Sequence, residues 1–268
     1  MVTSPTVSVL FVTYNRFPLL KRTLDTLLQV TRYANMQLVV TDDGSPPDVQ
    51  RQLLQLPFHA FYLASENRGM GANINSGLKR CTGRYILMLQ DDWDCIAPSD
   101  YLKNTIAVME SSSRICLINY YGVPHILATT QALPGANEPC YEILSGTTNG
   151  HNSSIYTDTP HVMSRACLES IGPYHEDREM ESCETDYARR FASQDAYKAA
   201  IFPLYYNRAF VHTGEAESWR LRSFRCRLDN ALMPAATVLR CCPPVFNLGK
   251  AVVRSSVRTL TRIGIIRK

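Results

Sequence analysis

Apolar runs of strand length alternate with helix-period segments over the first ninety residues. Val7 to Thr13 is a continuous β-rich run, suited to a strand covered on both faces. Pro18 then opens a helix whose Leu19, Leu20, Thr23, Leu24, Leu27 and Leu28 form one stripe. The alternation continues with a strand at Gln37–Thr41, a helix at Pro46–Leu56, a strand at Phe58–Ala64, a helix at Gly69–Cys81 and a strand at Arg84–Gln90. A βαβαβαβ order predicts an α/β fold in one Rossmann-like domain: a mostly parallel central sheet, helices on both faces, ligands at the carboxyl ends of the strands.

Periodicity weakens further along. A helix from Pro98 to about Ser112 and a strand at Ile115–Asn119 are followed by residues 120–160, rich in Gly, Thr, Asn and Pro, which read as a long functional loop. Short helices near Ser164–Ser170 and Cys183–Ser193 and strands near Ala199–Pro203 and Ala209–Thr213 complete the folded part. No internal repeat interrupts this order.

Composition narrows the class. A 268-residue chain with 45% hydrophobic residues can bury one large core. Nine cysteines, an odd number without a C-x-x-C pair, fit neither a disulfide framework nor a zinc ribbon, which predicts reduced thiols and a cytoplasmic location. Neither a secretory start nor an uncharged apolar run of spanning length is present, so a soluble or peripheral protein is expected. Charge is divided unevenly. Residues 1–206 hold 16 Lys and Arg against 21 Asp and Glu, a balance of −5, while residues 207–268 hold 12 against 3, a balance of +9. The chain therefore divides into a domain over 1–215 and a basic extension over 216–268. Within the latter, Arg254, Arg258 and Arg262 are four apart among Leu248, Val252, Val253, Val257, Leu260 and Ile263. That pattern suits an amphipathic helix, docked either on an anionic membrane surface or on the domain itself. The extension lacks the interleaved aromatics of single-strand nucleic-acid binders, and no nucleic-acid partner is expected.

Every chemically loaded cluster of the first half falls at a strand's carboxyl end. Thr13-Tyr14-Asn15-Arg16 follows the first strand, Asp42-Asp43-Gly44-Ser45 the second, Glu66-Asn67-Arg68-Gly69 the third and Gln90-Asp91-Asp92-Trp93-Asp94 the fourth. Each has a plain reading as a cap or turn. Together they outline an anion-handling crevice. Ionised carboxylates crowded at the end of a buried strand cost several kcal/mol each, roughly, unless a cation answers them, so the last cluster reads either as a divalent metal site or as a solvated acidic turn.

Five stretches resemble a family-2 glycosyltransferase with the GT-A fold: "VSVLFVTYNRFPLLKRTLDTLL", "LVVTDDGSPPD", "NRGMGANINSGLKRCTGRYILMLQDDWD", "IGPYHEDREMESCETDYARRF" and "FVHTGE". The resemblance spans about residues 6–215. It implies an inverting, metal-dependent transfer of sugar from a nucleotide-diphosphate donor to an acceptor hydroxyl, on a glycan or a lipid-linked acceptor. It also implies that Thr13, Tyr14 and Arg16 lie beside the nucleoside, Asp43 near the base with Asp42 behind it, and Asn67 and Arg68 against base, ribose or phosphate. Gln90-Asp91-Asp92 takes the place of the family's D-x-D motif. Gln90 departs from the pattern, leaving Asp92, then Asp91, as expected ligands of Mn²⁺ or Mg²⁺, with His212 as a third. Trp93 is expected either to wall the sugar pocket or to pack on the following helix, and Arg220 to close over the diphosphate.

For the general base the resemblance points to Glu184, although Cys183 replaces the acidic residue that usually precedes it. Asp186 is the alternative. It has Arg189 and Arg190 three and four positions later, the spacing of helical ion pairs, whereas Glu184 has a like-charged neighbour one turn back in Glu181. A rival reading keeps the nucleotide-sugar fold without transfer, as an inactive binding or scaffold module, and Gln90 favours it. A sugar nucleotidyltransferase would carry a Gly-rich signature with Arg and Lys directly after the first strand; this chain has Thr13-Tyr14-Asn15-Arg16 there.

Overall fold

The computed structural model describes residues 5–121, 127–135, 137–144, 147–148, 151–152, 156–176 and 180–214. The Rossmann-like half is built as the periodicity predicts: β1 (Val7–Thr13), α1 (Phe17–Val30), β2 (Met36–Asp42), α2 (Pro47–Leu53), β3 (Ala60–Leu63), α3 (Met70–Leu78) and β4 (Tyr85–Gln90). After it come β5 (Trp93–Cys95), α4 (Tyr101–Ser111), β6 (Ile115–Asn119), β7 (Leu127–Ala132), β8 (Tyr141–Leu144), β9 (Thr147–Thr148) and β10 (His151–Asn152). The described chain finishes with β11 (His161–Ser164), α5 (Arg165–Ile171), α6 (Met180–Ala192), β12 (Lys198–Ile201) and β13 (Phe210–His212). The basic extension lies outside the described residues, and so does Arg220.

One nine-stranded sheet runs in the order β3-β2-β1-β4-β11-β6-β12-β8-β7. The first four strands are all parallel, as are β6 and β12. β11 enters antiparallel between β4 and β6. Every residue of β1 is buried, because helices cover both faces. Val7, Val9 and Phe11 pack with Leu20, Leu24 and Leu27 of α1, Leu53 of α2 and Leu102 and Ile106 of α4. Leu10 and Val12 pack on the other face with Ile74 of α3, Cys167 and Leu168 of α5 and Cys183 and Tyr187 of α6. Each fully buried leucine contributes about 1.5–3 kcal/mol, so the α1 stripe anchors its layer firmly.

The 120–160 stretch departs from the loop expectation. β7 and β8 pair antiparallel there and extend the main sheet, and β9 and β10 form a small ribbon. β11 and β5 are likewise elements the periodicity did not announce. Four residues of β11 and three of β5 are too short to establish an alternation.

Polar side chains tie the helices to the strand ends. Asn73 of α3, buried, donates to the Thr13 carbonyl oxygen (3.2 Å), and its own Oδ1 accepts from the Thr41 hydroxyl (2.6 Å). Thr23, within the apolar stripe of α1, donates to the Asp91 carbonyl oxygen (2.9 Å) and accepts from the Trp93 N–H (3.1 Å). The backbone is thereby held where β4 ends.

His161 on β11 is fully buried; its Nδ1 lies 2.7 Å from the Thr159 carbonyl oxygen, and its Nε2 has no partner among the described residues. Burial pulls its pKa from 6.5 down to about 4, against the opposing Thr159 bond. Between those values the unfolded chain binds a proton that the folded chain refuses, so stability falls as pH drops through that window. Urea titrations at pH 7 and pH 5 should therefore show the wild type losing about 2 kcal/mol more than His161→Gln on acidification. Equal losses would mean that this imidazole accepts its proton in the folded state.

Candidate active site

Register brings the site together. Thr13 pairs with Asp42 and Val12 with Gln90, so β1, β2 and β4 end at one level and release their following residues into one crevice. The turn after β1 passes through Asn15 at φ 53°, a left-handed position that Asn tolerates, and turns Arg16 back over β4. Tyr14 at the same turn is 48% exposed.

The acidic cluster is answered from within the chain. Arg16 Nη1 lies 2.9 Å from Asp92 Oδ2 and 3.5 Å from Asp91 Oδ1. Arg22, one helical turn and a half further along α1, grips Asp94 through Nε (2.9 Å to each oxygen) and Nη2. Asp91 also accepts the Thr13 hydroxyl at 2.7 Å. Burial nevertheless raises its pKa to about 6, helped by the neighbouring Asp92 charge and opposed by Thr13 and Arg16. For Asp92, burial pushes upward too, but the bond and charge of His212 and the Arg16 guanidinium outweigh it and hold the carboxyl below the ordinary range. Arginine, rather than a metal ion alone, thus balances these carboxylates.

His212 reaches the cluster through a second, two-stranded sheet. β13 pairs antiparallel with β5 so that His212 stands opposite Trp93, and its Nε2 comes 3.2 Å from Asp92 Oδ2. The Thr213 N–H donates to the Asp92 carbonyl oxygen at 2.8 Å. Gly214 then passes so close that a Cβ there would meet Asp92 Oδ2 at 2.4 Å. Trp93 is buried in the core cluster that α1 covers, edge-on to Tyr121 (4.7 Å between centroids) and tilted against the His212 ring (4.9 Å).

Asp92 Oδ1 is buried and has no hydrogen-bond partner among the described residues. An orphaned carboxylate oxygen beside an imidazole nitrogen is a donor pair that suits a divalent ion such as Mn²⁺. Two donors do not make a complete site; among the described residues no group of three or more His, Cys, Asp or Glu is placed to hold a metal. Asp91, with Thr13 and Arg16 on its oxygens, is directed at the end of β1 and the turn that follows it.

The second cluster organises backbone. Asp42 is fully buried and accepts from the Ser45 N–H (2.9 Å), the Ser45 hydroxyl and Gln50 Nε2 (2.9 Å). Asp43 accepts the N–H groups of Arg68 and Gly69, one on each oxygen at 2.9 Å. The first amides before α3 are therefore already engaged. Gly44, at φ 80°, permits this closure: a Cβ would lie 2.3 Å from the Glu66 carbonyl carbon. Asn67 Oδ1 accepts a further bond from the Gly69 N–H at 3.2 Å. The Arg68 side chain turns across to Glu176 (2.9 Å), whose other oxygen accepts from Asn75 (3.0 Å).

The two candidate bases on α6 sit in different surroundings. Asp186 is held by Arg190 Nε (2.8 Å), His175 Nε2 (3.2 Å) and more loosely Arg189 (4.0 Å), the ion pairs that its spacing predicts. Glu184, half-buried, accepts the Asp158 N–H on Oε1 at 3.0 Å. β11 runs antiparallel to β4 with His161 opposite Met88, so residues 158–160 continue toward the end of β4 that carries Gln90. The Glu181 side chain lies outside the described residues. Arg22, Thr23, Asn73, Asp158 and Glu176 were not singled out from sequence; a polar residue inside an apolar stripe, as at Thr23, was the available signal.

Comparison with known proteins gives this arrangement its context. The model of glycosyl transferase family 2 matches residues 8–172. Glycosyltransferase GlyA of Streptococcus pneumoniae is 28% identical over 126 residues, 45% of this chain and 18% of that protein. An uncharacterized glycosyltransferase of Rickettsia prowazekii is 33% identical over 89 residues, 33% of this chain and 28% of its own length. The matches thus span less than a third of either relative. Among solved structures, residues 1–349 of TarS from S. aureus superpose with a TM-score of 0.54 at 16% identity, covering 88% of this chain and 71% of that one. A mannosyltransferase from Pyrobaculum calidifontis, PcManGT, determined with GDP-Man and Mn²⁺, gives 0.51 at 16%, covering 96% and 76%. These two likenesses establish the GT-A fold. By the family match over most of its folded part, the chain belongs to glycosyl transferase family 2.

Proposed function

We propose that this protein is a metal-dependent, inverting glycosyltransferase that moves a sugar from a nucleotide-diphosphate donor to an acceptor hydroxyl on a glycan or lipid-linked acceptor. The observation that carries this reading is Asp92, whose partnerless Oδ1 and neighbouring His212 offer an oxygen and a nitrogen donor at the level where three parallel strands end. Mn²⁺ in the Pyrobaculum mannosyltransferase supports the cofactor, and its GDP-Man supports the donor class. In our reading Asp92 and His212 hold Mn²⁺ or Mg²⁺, with the remaining ligands supplied by donor phosphate and water. When bound, such an ion stabilises the charge that builds on the departing diphosphate.

The chain's own residues supply the other parts. Tyr14, exposed at the β1 turn, offers a ring for the nucleobase, and Thr13 and Asn67 border the same crevice. Arg68 can exchange Glu176 for a donor phosphate, since its bridge to Glu176 is largely solvent-exposed and correspondingly weak. Glu184 takes the proton of the acceptor hydroxyl as that oxygen attacks the anomeric carbon opposite the leaving diphosphate, which inverts the configuration. Asp186, already bound to Arg190, Arg189 and His175, is the weaker choice. The catalytic unit occupies residues 1–215. The basic extension, 216–268, with Arg220 near its start, is assigned on sequence alone to an anionic membrane surface at the cytoplasmic face. No helix among the described residues is long and apolar enough to cross a membrane.

A second reading, nucleotide-sugar binding without transfer, is favoured by the Arg16 guanidinium already bound to Asp92 and by Gln90. Two variants separate the readings. Asp92→Asn should abolish Mn²⁺-dependent binding of UDP and GDP in calorimetry while circular dichroism stays native; unchanged affinity would remove Asp92 from the metal. Glu184→Gln should keep donor affinity and lose transfer by roughly 10²-fold or more, read as nucleoside diphosphate release from a panel of UDP- and GDP-sugars with candidate acceptors. If Asp186→Asn alone gives that signature, the base lies two residues further on. If the wild type binds donors but turns none over, the inactive-module reading stands.

A further inference from the structure

The neighbourhood of Glu184 holds a second carboxyl. Asp158 is 8% exposed, and its two oxygens are unequal: Oδ1 accepts the Tyr156 hydroxyl at 2.8 Å, while Oδ2 is buried without a partner among the described residues. Its backbone N–H is the donor that holds Glu184 Oε1. Tyr156 is in turn bonded to the Tyr174 hydroxyl, and the Tyr174 ring stacks on Tyr187 at 4.0 Å and 8°. The segment that presents the Asp158 N–H is therefore fixed from its own side chain outward, through three buried tyrosines.

We propose that Asp158 is a positioning residue for Glu184, its N–H fixing one oxygen of the base while its own buried carboxyl forms with Glu184 a coupled acid pair beside the crevice. The proposal rests on Glu184 being the base. Two observations carry it beyond ordinary packing. A carboxylate oxygen buried without a donor is costly, and protonation of Asp158 lowers that cost by removing the charge. The groups facing this carboxyl are Glu184 and Tyr187 of α6, Tyr174 after α5 and Tyr156 of its own segment, with His161 of β11 against the Tyr156 ring. Burial first and the Glu184 charge second raise its pKa to about 7, against the Tyr156 hydrogen bond. Near neutral pH the Asp158 carboxyl is thus only partly ionised, and a negative charge placed beside a general base favours the proton that the base takes up.

Infrared difference spectroscopy on the full chain tests the pair without substrate. The wild type minus Asp158→Asn should show a protonated carboxyl band that titrates close to neutrality. Glu184→Gln should move that titration down, toward the ordinary carboxylate range, and Tyr156→Phe should move it up. A band that survives Asp158→Asn, or one that ignores Glu184→Gln, overturns the pairing. Kinetics on whichever UDP- or GDP-sugar is turned over tests the positioning. Asn at 158 keeps an acceptor for Tyr156, so Asp158→Asn should match the wild type below the titration and fall behind above it, with donor KM unchanged. Asp158→Ala, which frees the segment, should lose kcat about 10-fold to 10²-fold at every pH. Coincident pH profiles for wild type and Asp158→Asn would reject the role. Absence of all turnover in the wild type would favour the inactive-module reading and overturn the positioning role, while the infrared titration would still decide whether the two carboxyls interact.

Discussion

Three carboxylates at the end of a buried strand cannot stand uncompensated, and the rest of the crevice is arranged around that constraint. Asp91, Asp92 and Asp94 are each almost fully buried. Two arginines answer them, Arg16 from the turn at Asn15 just before α1 and Arg22 from α1 itself. The β5/β13 ribbon then adds an imidazole to Asp92, whose Oδ1 has no partner among the described residues. Electrostatic need and backbone geometry coincide here, since the same α1 that covers the sheet with Leu20, Leu24 and Leu27 carries Arg22 on its exposed side.

Around that centre the polar groups divide into those that shape the backbone and those that face outward. Asp42 and Asp43 close the second turn onto the third, Asn73 joins β1 to β2, and Thr23 fixes both ends of Asp91-Asp92. Buried and satisfied, these bonds make the crevice rigid before any ligand arrives. Tyr14 and Arg68, by contrast, keep their side chains at the surface.

The parallel half of the sheet and all four of its loaded ends were legible because strands buried on both faces leave long apolar runs, and α1 a wide stripe. β11 was not. Its four residues lie between two longer strands that supply the apolar context, so the position is set by neighbours rather than by its own pattern. His212 was visible as a candidate, but its partner stands 120 residues away, and only the β5/β13 register joins them. The two acids of the DDGS stretch read as ligand contacts, whereas the structure spends much of their hydrogen-bonding capacity on backbone. A carboxylate looks the same in sequence whether it meets a ligand or an amide. Asp158 offered even less, because it falls in a stretch without period whose importance comes from what α6 brings to it.

The common level at which β1, β2 and β4 stop has an evolutionary corollary. A strand advances about 3.3 Å per residue and reverses its facing at each step, so one residue gained or lost within β4 would carry Asp92 past Arg16 and turn it to the opposite face of the sheet. Substitution can therefore retune this crevice one side chain at a time, as Gln90 already illustrates. Insertions and deletions within these strands cannot. Change in length is confined to the connecting segments, such as the part of the β6–β11 stretch that precedes Tyr156 and Asp158. Divergence within such a scaffold is then expected to keep the ruler and vary what hangs from its far side.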